Sequence, residues 1–273
     1  MASRGATAVG RVVGSVVLFI GAIGLCIGLV FANASVSPTL VWFPLPVLTL
    51  IVAIAAWSER QFGVGLQWPV PLDPRTLLMT TGIAVFGVAA CVLQGALAGL
   101  TRVAETGPPG TSPLFQFSYA VLLSVAPAAL AEVAFRGVMQ TGLTKLGGAW
   151  PAILVVAAIN TAAHRWDPEL GAQWAAYFVS LAAAGWLRSV TGSLWPPMIA
   201  HVSANFLTAL ALWHWGPFAQ GRIGGAGLAV VAALALGGLL LAAWLAFASC
   251  GTAVRAHLGT AQPVTRRPPR TSN

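Results

Sequence analysis

Residues 223–248 read I-G-G-A-G-L-A-V-V-A-A-L-A-L-G-G-L-L-L-A-A-W-L-A-F-A, without one charged side chain. About 20 such residues cross the hydrocarbon core of a bilayer as a helix. Apolar and polar positions do not alternate, so the run is no barrel strand. Lipid offers the backbone no hydrogen bonds, and a helix satisfies its own. Similar apolar runs cover roughly 12–32, 40–57, 77–100, 114 into the region of Phe135, 151–163, 171–186 and 194–213. Of 273 residues, 58% are hydrophobic and 7% charged, and the mean hydropathy is +0.83. That is too little charge to clothe a soluble domain. The expected fold is therefore all-α, a polytopic transmembrane helical bundle of about eight spanning helices.

Breakers separate the runs: Pro38, the cluster Pro69, Pro71 and Pro74, then Pro108-Pro109-Gly110, Gly147-Gly148 and Gly216-Pro217. Trp42, Trp150, Trp195, Trp213 and Trp215 lie near span ends, where amphipathic rings meet headgroups. Eight spans with a cytoplasmic N-terminus leave eleven basic residues inside: Arg4, Arg11, Arg60, Arg75, Arg136, Lys145, Arg188, Arg255, Arg266, Arg267 and Arg270. Three stay outside: Arg102, Arg165 and Arg222. Omitting Arg136, which falls within a span, gives ten against three. This asymmetry puts both termini in the cytoplasm of an integral plasma-membrane protein. It also explains the net charge of +8 without nucleic acid, since the basic residues are scattered singly. The basic tail, with Arg266, Arg267 and Arg270 among prolines, faces lipid headgroups. Ala32-Asn33-Ala34 mimics a signal-peptidase site, but the run before it is long enough to span and reads as a first helix. Cys26, Cys91 and Cys250 have no ligand-like spacing and read as packing residues.

Strongly polar groups cost several kcal/mol within a bilayer, so each one there is a functional candidate. Glu132 and Arg136 are four apart, as are Asn160 and His164, and His201 and Asn205. That spacing places each pair on one helix face, with Glu132 N-terminal to its basic partner in the favoured order. Counted from cytoplasmic markers at about 1.5 Å per residue, Glu132, His164 and His201 lie roughly 20, 21 and 17 Å deep. Three helices thus bring a carboxylate and two imidazoles to one level.

These motifs resemble the CPBP family of intramembrane endopeptidases, which includes CAAX prenyl endopeptidases and bacteriocin-processing proteins. The family's Glu-Glu-x-x-x-Arg motif is similar to Ala131 through Gly137, its Phe-x-x-x-His to Asn160–His164, and its His-x-x-x-Asn to His201–Asn205. The lead-in Thr191-Gly192-Ser193-Leu194-Trp195-Pro196-Pro197 is also family-like. The resemblance spans about 113–210. It divides the chain into N-terminal helices (1–112), a core carrying the motifs (113–210), and a last helix with a basic tail (211–273). Ala131 stands where the family has its first Glu, and Asn160 where it has Phe.

The resemblance implies hydrolysis of a membrane-associated or lipid-modified peptide, with membrane lipid and a peptide or lipidated protein as partners. In its terms His164 orients water, His201 and Asn205 hold the oxyanion, and Arg136 neutralises and positions Glu132. Glu132 acts as base directly or through His164, with Asn160 beside it. Glu132, His164 and His201 could also hold a divalent metal such as Zn²⁺, although no His-Glu-x-x-His pattern is present. Two other readings stand beside the enzyme. One is an inactive relative that binds a peptide or partner protein in the same cavity. The other is a small-solute or proton transporter, against which counts the lack of an inverted repeat.

Overall fold

The computed structural model describes residues 2–66, 73–99, 101–102, 107–163, 173–215, 218–219 and 223–259. Helix α1 spans Ala2–Val36, α2 Pro44–Phe62 and α3 Pro74–Leu97. Then α4 (Pro113–Ala131) passes without a break through a π-helical stretch, Glu132–Gln140, into α5 (Thr141–Gly147). After a turn at Gly148 come α6 (Ala149–Ala162), α7 (Trp174–Thr191), α8 (Trp195–Trp215) and α9 (Gly225–Gly259). Counting α4 to α5 as one rod gives eight rods among the described residues, in an all-α bundle. Among the described residues, four stretches are long and apolar enough to cross a membrane by length and composition: Ala8–Val36, Pro74–Leu97, Pro113–Gly147 and Gly225–Ala248.

Local chemistry explains the boundaries. Proline stands in the first turn of α2, α3 and α4, where its missing N–H is no loss. Asp73 caps α3 by accepting from the amides of Arg75 and Thr76, and Ser112 caps α4 by accepting from Phe115. The expected third span therefore begins earlier, at Pro74, and the second later, at Pro44. The turn between α1 and α2 is organised by Asn33, which is fully buried. Its Nδ2 donates to the carbonyls of Ser37 and Leu40, and its Oδ1 accepts from the amides of Trp42 and Phe43.

The turns sort into two ends. Ser112 donates its amide to the Pro38 carbonyl at 3.0 Å. Thr101–Arg102 (β1) pairs antiparallel with Phe218–Ala219 (β2). The α1–α2, α3–α4 and α8–α9 connections therefore share one end. At the other, Leu194 donates to the Gly65 carbonyl at 2.9 Å and Arg188 Nη2 to the Val64 carbonyl at 3.0 Å. This joins the α2–α3 and α7–α8 connections.

The core is divided among the helices. Ala22, Cys26 and Val30 of α1 pack with Phe43, Val47, Phe115, Leu122, Ala126 and Leu130. On the far side, α3 and α9 meet through Met79, Ile83, Phe86, Ala235 and Ala242. A Cβ on Gly82 would lie 2.7 Å from the Gly238 carbonyl, and one on Gly238 2.5 Å from the Gly82 carbonyl. Small residues let these two backbones touch, the usual route to close helix packing in lipid.

Candidate active site

The π-helical stretch begins at Glu132 and ends at Gln140, and all nine of its residues are buried. Glu132 and Arg136 have no exposed side-chain surface. Arg136 Nη1 donates to Glu132 Oε1 at 2.5 Å, and Arg136 Nη2 donates to the Leu181 carbonyl of α7 at 3.0 Å. The same Glu132 Oε1 lies 2.7 Å from Nδ1 of His201 on α8. Beside an ion-paired carboxylate, Nδ1 carries the proton and donates, which leaves Nε2 as the acceptor. His201 keeps 20% of its side chain exposed. Among the described residues, buried Glu132 Oε2 has no hydrogen-bond partner.

The structure therefore joins Glu132, Arg136 and His201. Asn205, one turn along α8 from His201, points elsewhere on the rod: its Nδ2 donates to the Ser124 carbonyl at 2.9 Å. Pro127 lies inside α4 just beyond that contact. Asn160 is buried on α6. His164 lies outside the described residues. Ala131 faces away from His201, in an apolar cluster with Phe135, Met139 and Val156, against which Ile159, Phe19 and Leu143 pack. Neighbouring positions on the rod thus serve two sides, 131 turned to α6 and α1, 132 to α8.

Sequence reasoning missed Gln140. It is 3% exposed, and its Nε2 donates to the Gly185 carbonyl at 2.8 Å and Ser189 Oγ at 3.1 Å. The available signal was a polar residue eight positions after Glu132 and four after Arg136 in an apolar setting.

Residues 112–207, from the cap of α4 to beyond Asn205, match the family model "Type II CAAX prenyl endopeptidase Rce1-like". Over that segment the chain is similar to type II CAAX prenyl endopeptidases. The matched segment holds every motif residue, and α1, α2, α3 and α9 lie outside it. No curated protein and no solved structure matches the chain. Within the matched segment, Gly137 follows Arg136 where the two connections at one end are stitched together. A Cβ there would lie 2.9 Å from Val64 Cβ and 3.3 Å from Leu194 Cδ2, so the stitch closes over a glycine.

Metal chemistry asks for three donors around an open position. Among the described residues no group of three or more His, Cys, Asp or Glu side chains could hold an ion. The two described donors, Glu132 and His201, are hydrogen-bonded to each other through Oε1 and Nδ1. Arg136 occupies the same carboxylate oxygen. His164, the third ligand such a site would use, lies outside the described residues.

Proposed function

We propose that this protein is an intramembrane endopeptidase that hydrolyses a membrane-associated or lipid-modified peptide. The observation that carries this is the buried Glu132 carboxylate at 2.7 Å from the partly exposed His201 ring. A carboxylate on one ring nitrogen fixes the tautomer and stabilises the imidazolium that forms when the other accepts a proton. Glu132 acts through His201, to which its Oε1 is bonded, while its unpartnered Oε2 is buried and the His201 side chain is partly exposed. Arg136 pairs with Glu132 and fixes its orientation.

In this reading His201 Nε2 takes a proton from water as the water oxygen attacks the scissile carbonyl carbon. An oxyanion role for the Asn205 amide is carried by the family resemblance alone, since its Nδ2 donates to the Ser124 carbonyl. The C–N bond then breaks, and the proton held on His201 passes to the departing amine. His164 orients the water, a role carried by the family resemblance alone.

A cleavage assay in liposomes, against prenylated and unmodified peptides, tests the proposal. Glu132→Gln and His201→Gln should each lower kcat by about 100-fold or more, in the range of a lost general base. Full activity in both folded variants would overturn it. A zinc chelator separates two routes: unchanged cleavage fits the metal-free one, and lost cleavage fits a zinc held by Glu132, His164 and His201. A second reading is favoured by Ala131, whose side chain packs among Phe135, Met139 and Val156 with no polar purpose. In that reading the chain is an inactive relative that binds a peptide, and wild-type protein would retain a peptide without cleaving it.

A further inference from the structure

We propose that Gln140 is a positioning residue, which keys the end of the π-helical stretch to α7 and so sets the rotation at which Glu132 meets His201. The inference rests on the reading of Glu132 and His201 as the working pair. It begins from a geometric problem. An α-helix holds its register by bonding each amide to the carbonyl four residues back. A π-helical stretch uses a five-residue step, which is rare and occurs mostly at functional sites. Here the stretch rejoins α-helix at both ends, so tertiary contacts must decide where along the rod it lies.

Arg136 and Gln140 supply those contacts. They stand four residues apart, and their acceptors on α7, the Leu181 and Gly185 carbonyls, are also four apart. The result is two parallel rungs between one rod and one helix, and Ser189 Oγ adds a third acceptor at the Gln140 end. Gly185 makes room for this: a Cβ there would lie 3.1 Å from Gln140 Oε1. A primary amide buried among apolar side chains is costly unless bonded, so each rung holds only in one register. Slipping the rod by one residue would turn Glu132 by about 100°. That rotation carries it from His201 towards the apolar cluster that now receives Ala131. The Arg136 rung fixes the rod at one point, and the Gln140 rung adds a second at the end of the stretch.

The test is the ¹⁵N NMR signal of His201 in full-length protein in nanodiscs, assigned by its loss in His201→Gln. In wild type, Nδ1 should report a proton shared with a carboxylate. In Gln140→Met, which keeps length but loses both donors, the signal should move to that of a solvated imidazole, with the thermal midpoint recorded beside it. A folded Gln140→Met whose His201 signal stays in place overturns the proposal. Should Gln140→Met fail to fold, Gln140→Asn decides: one methylene shorter, it should shift the same signal, and an unmoved signal overturns the proposal. Where a substrate is cleaved, kcat should fall about tenfold or more with KM nearly constant, the pattern of a misplaced reacting group. If the signal moves as expected but wild type cleaves nothing, the positioning role stands and the endopeptidase reading fails.

Discussion

A carboxylate and a guanidinium that both lack exposed surface must offset two desolvation penalties by their mutual contact. Removing one partner leaves the other charged and dry. Arg136→Gln should therefore destabilise the protein by about 3–5 kcal/mol, read as a lowered unfolding midpoint in detergent. Arg136→Lys should recover little, because a single ammonium cannot imitate the fork that spans Glu132 Oε1 and the Leu181 carbonyl. Gly137→Ala tests the next position: its Cβ would strike Val64, and overpacking of this kind costs about 1–3 kcal/mol. At this scale the sequence was legible where spacing within one helix sufficed. Glu132 and Arg136 announced each other by their interval of four, and polarity alone singled out His201. Asn205 bonding the Ser124 carbonyl could not be foreseen, because it depends on how α8 is set along the rod. Gln140 escaped because a lone amide resembles any helix-surface residue until its neighbours are known.

Hydropathy located the rods, but their ends and internal geometry follow other rules. Apolar runs do not register capping, so α3 begins three residues before the run that announced it, at Pro74 behind the Asp73 cap. The π-helical stretch is illegible for a deeper reason: its composition is that of an α-helix, and only contacts with α7 and α8 select it. Asp73 offers a test confined to one element. The hydrogen bond from the Thr76 hydroxyl, followed by the Thr76 backbone amide, holds its carboxyl below the usual carboxylate value. A lowered folded-state value means that the cap stabilises the protein fully above the unfolded carboxylate range. That contribution is lost as pH falls through the folded value, below the ordinary range for aspartate. Asp73→Ala should cost about 1 kcal/mol at neutral pH. The difference in unfolding midpoint between wild type and variant should shrink as the solution is acidified below that range. A difference that persists in acid would mean that the carboxylate is not what caps the helix.

Across the whole molecule, contacts between distant turns and the distribution of charge are independent witnesses to one topology. The ladder joining Arg102 to Phe218 and the bond from Ser112 to Pro38 tie the first, third and last connections to one end. The bond from Leu194 to Gly65 ties two others to the opposite end. Alternation of eight rods requires this arrangement, and none of these contacts depends on hydropathy. Charge then orients the bundle. The sequence partition assigns ten basic residues to the side of the α2–α3 and α7–α8 connections and three to the other, with Arg136 within the rod counted in neither. The rich end should face the cytoplasm. Thr39 and Gln61, both exposed, lie at opposite ends of α2 and make the expectation measurable. In a background with Cys26, Cys91 and Cys250 replaced by alanine, Thr39→Cys should react with a membrane-impermeant maleimide on intact cells. Gln61→Cys should react only after permeabilisation. The reverse pattern would invert the bundle and open the Glu132 site from the other face. Labelling of both positions from outside would break the alternation itself, since one helix would then start and finish on the same side.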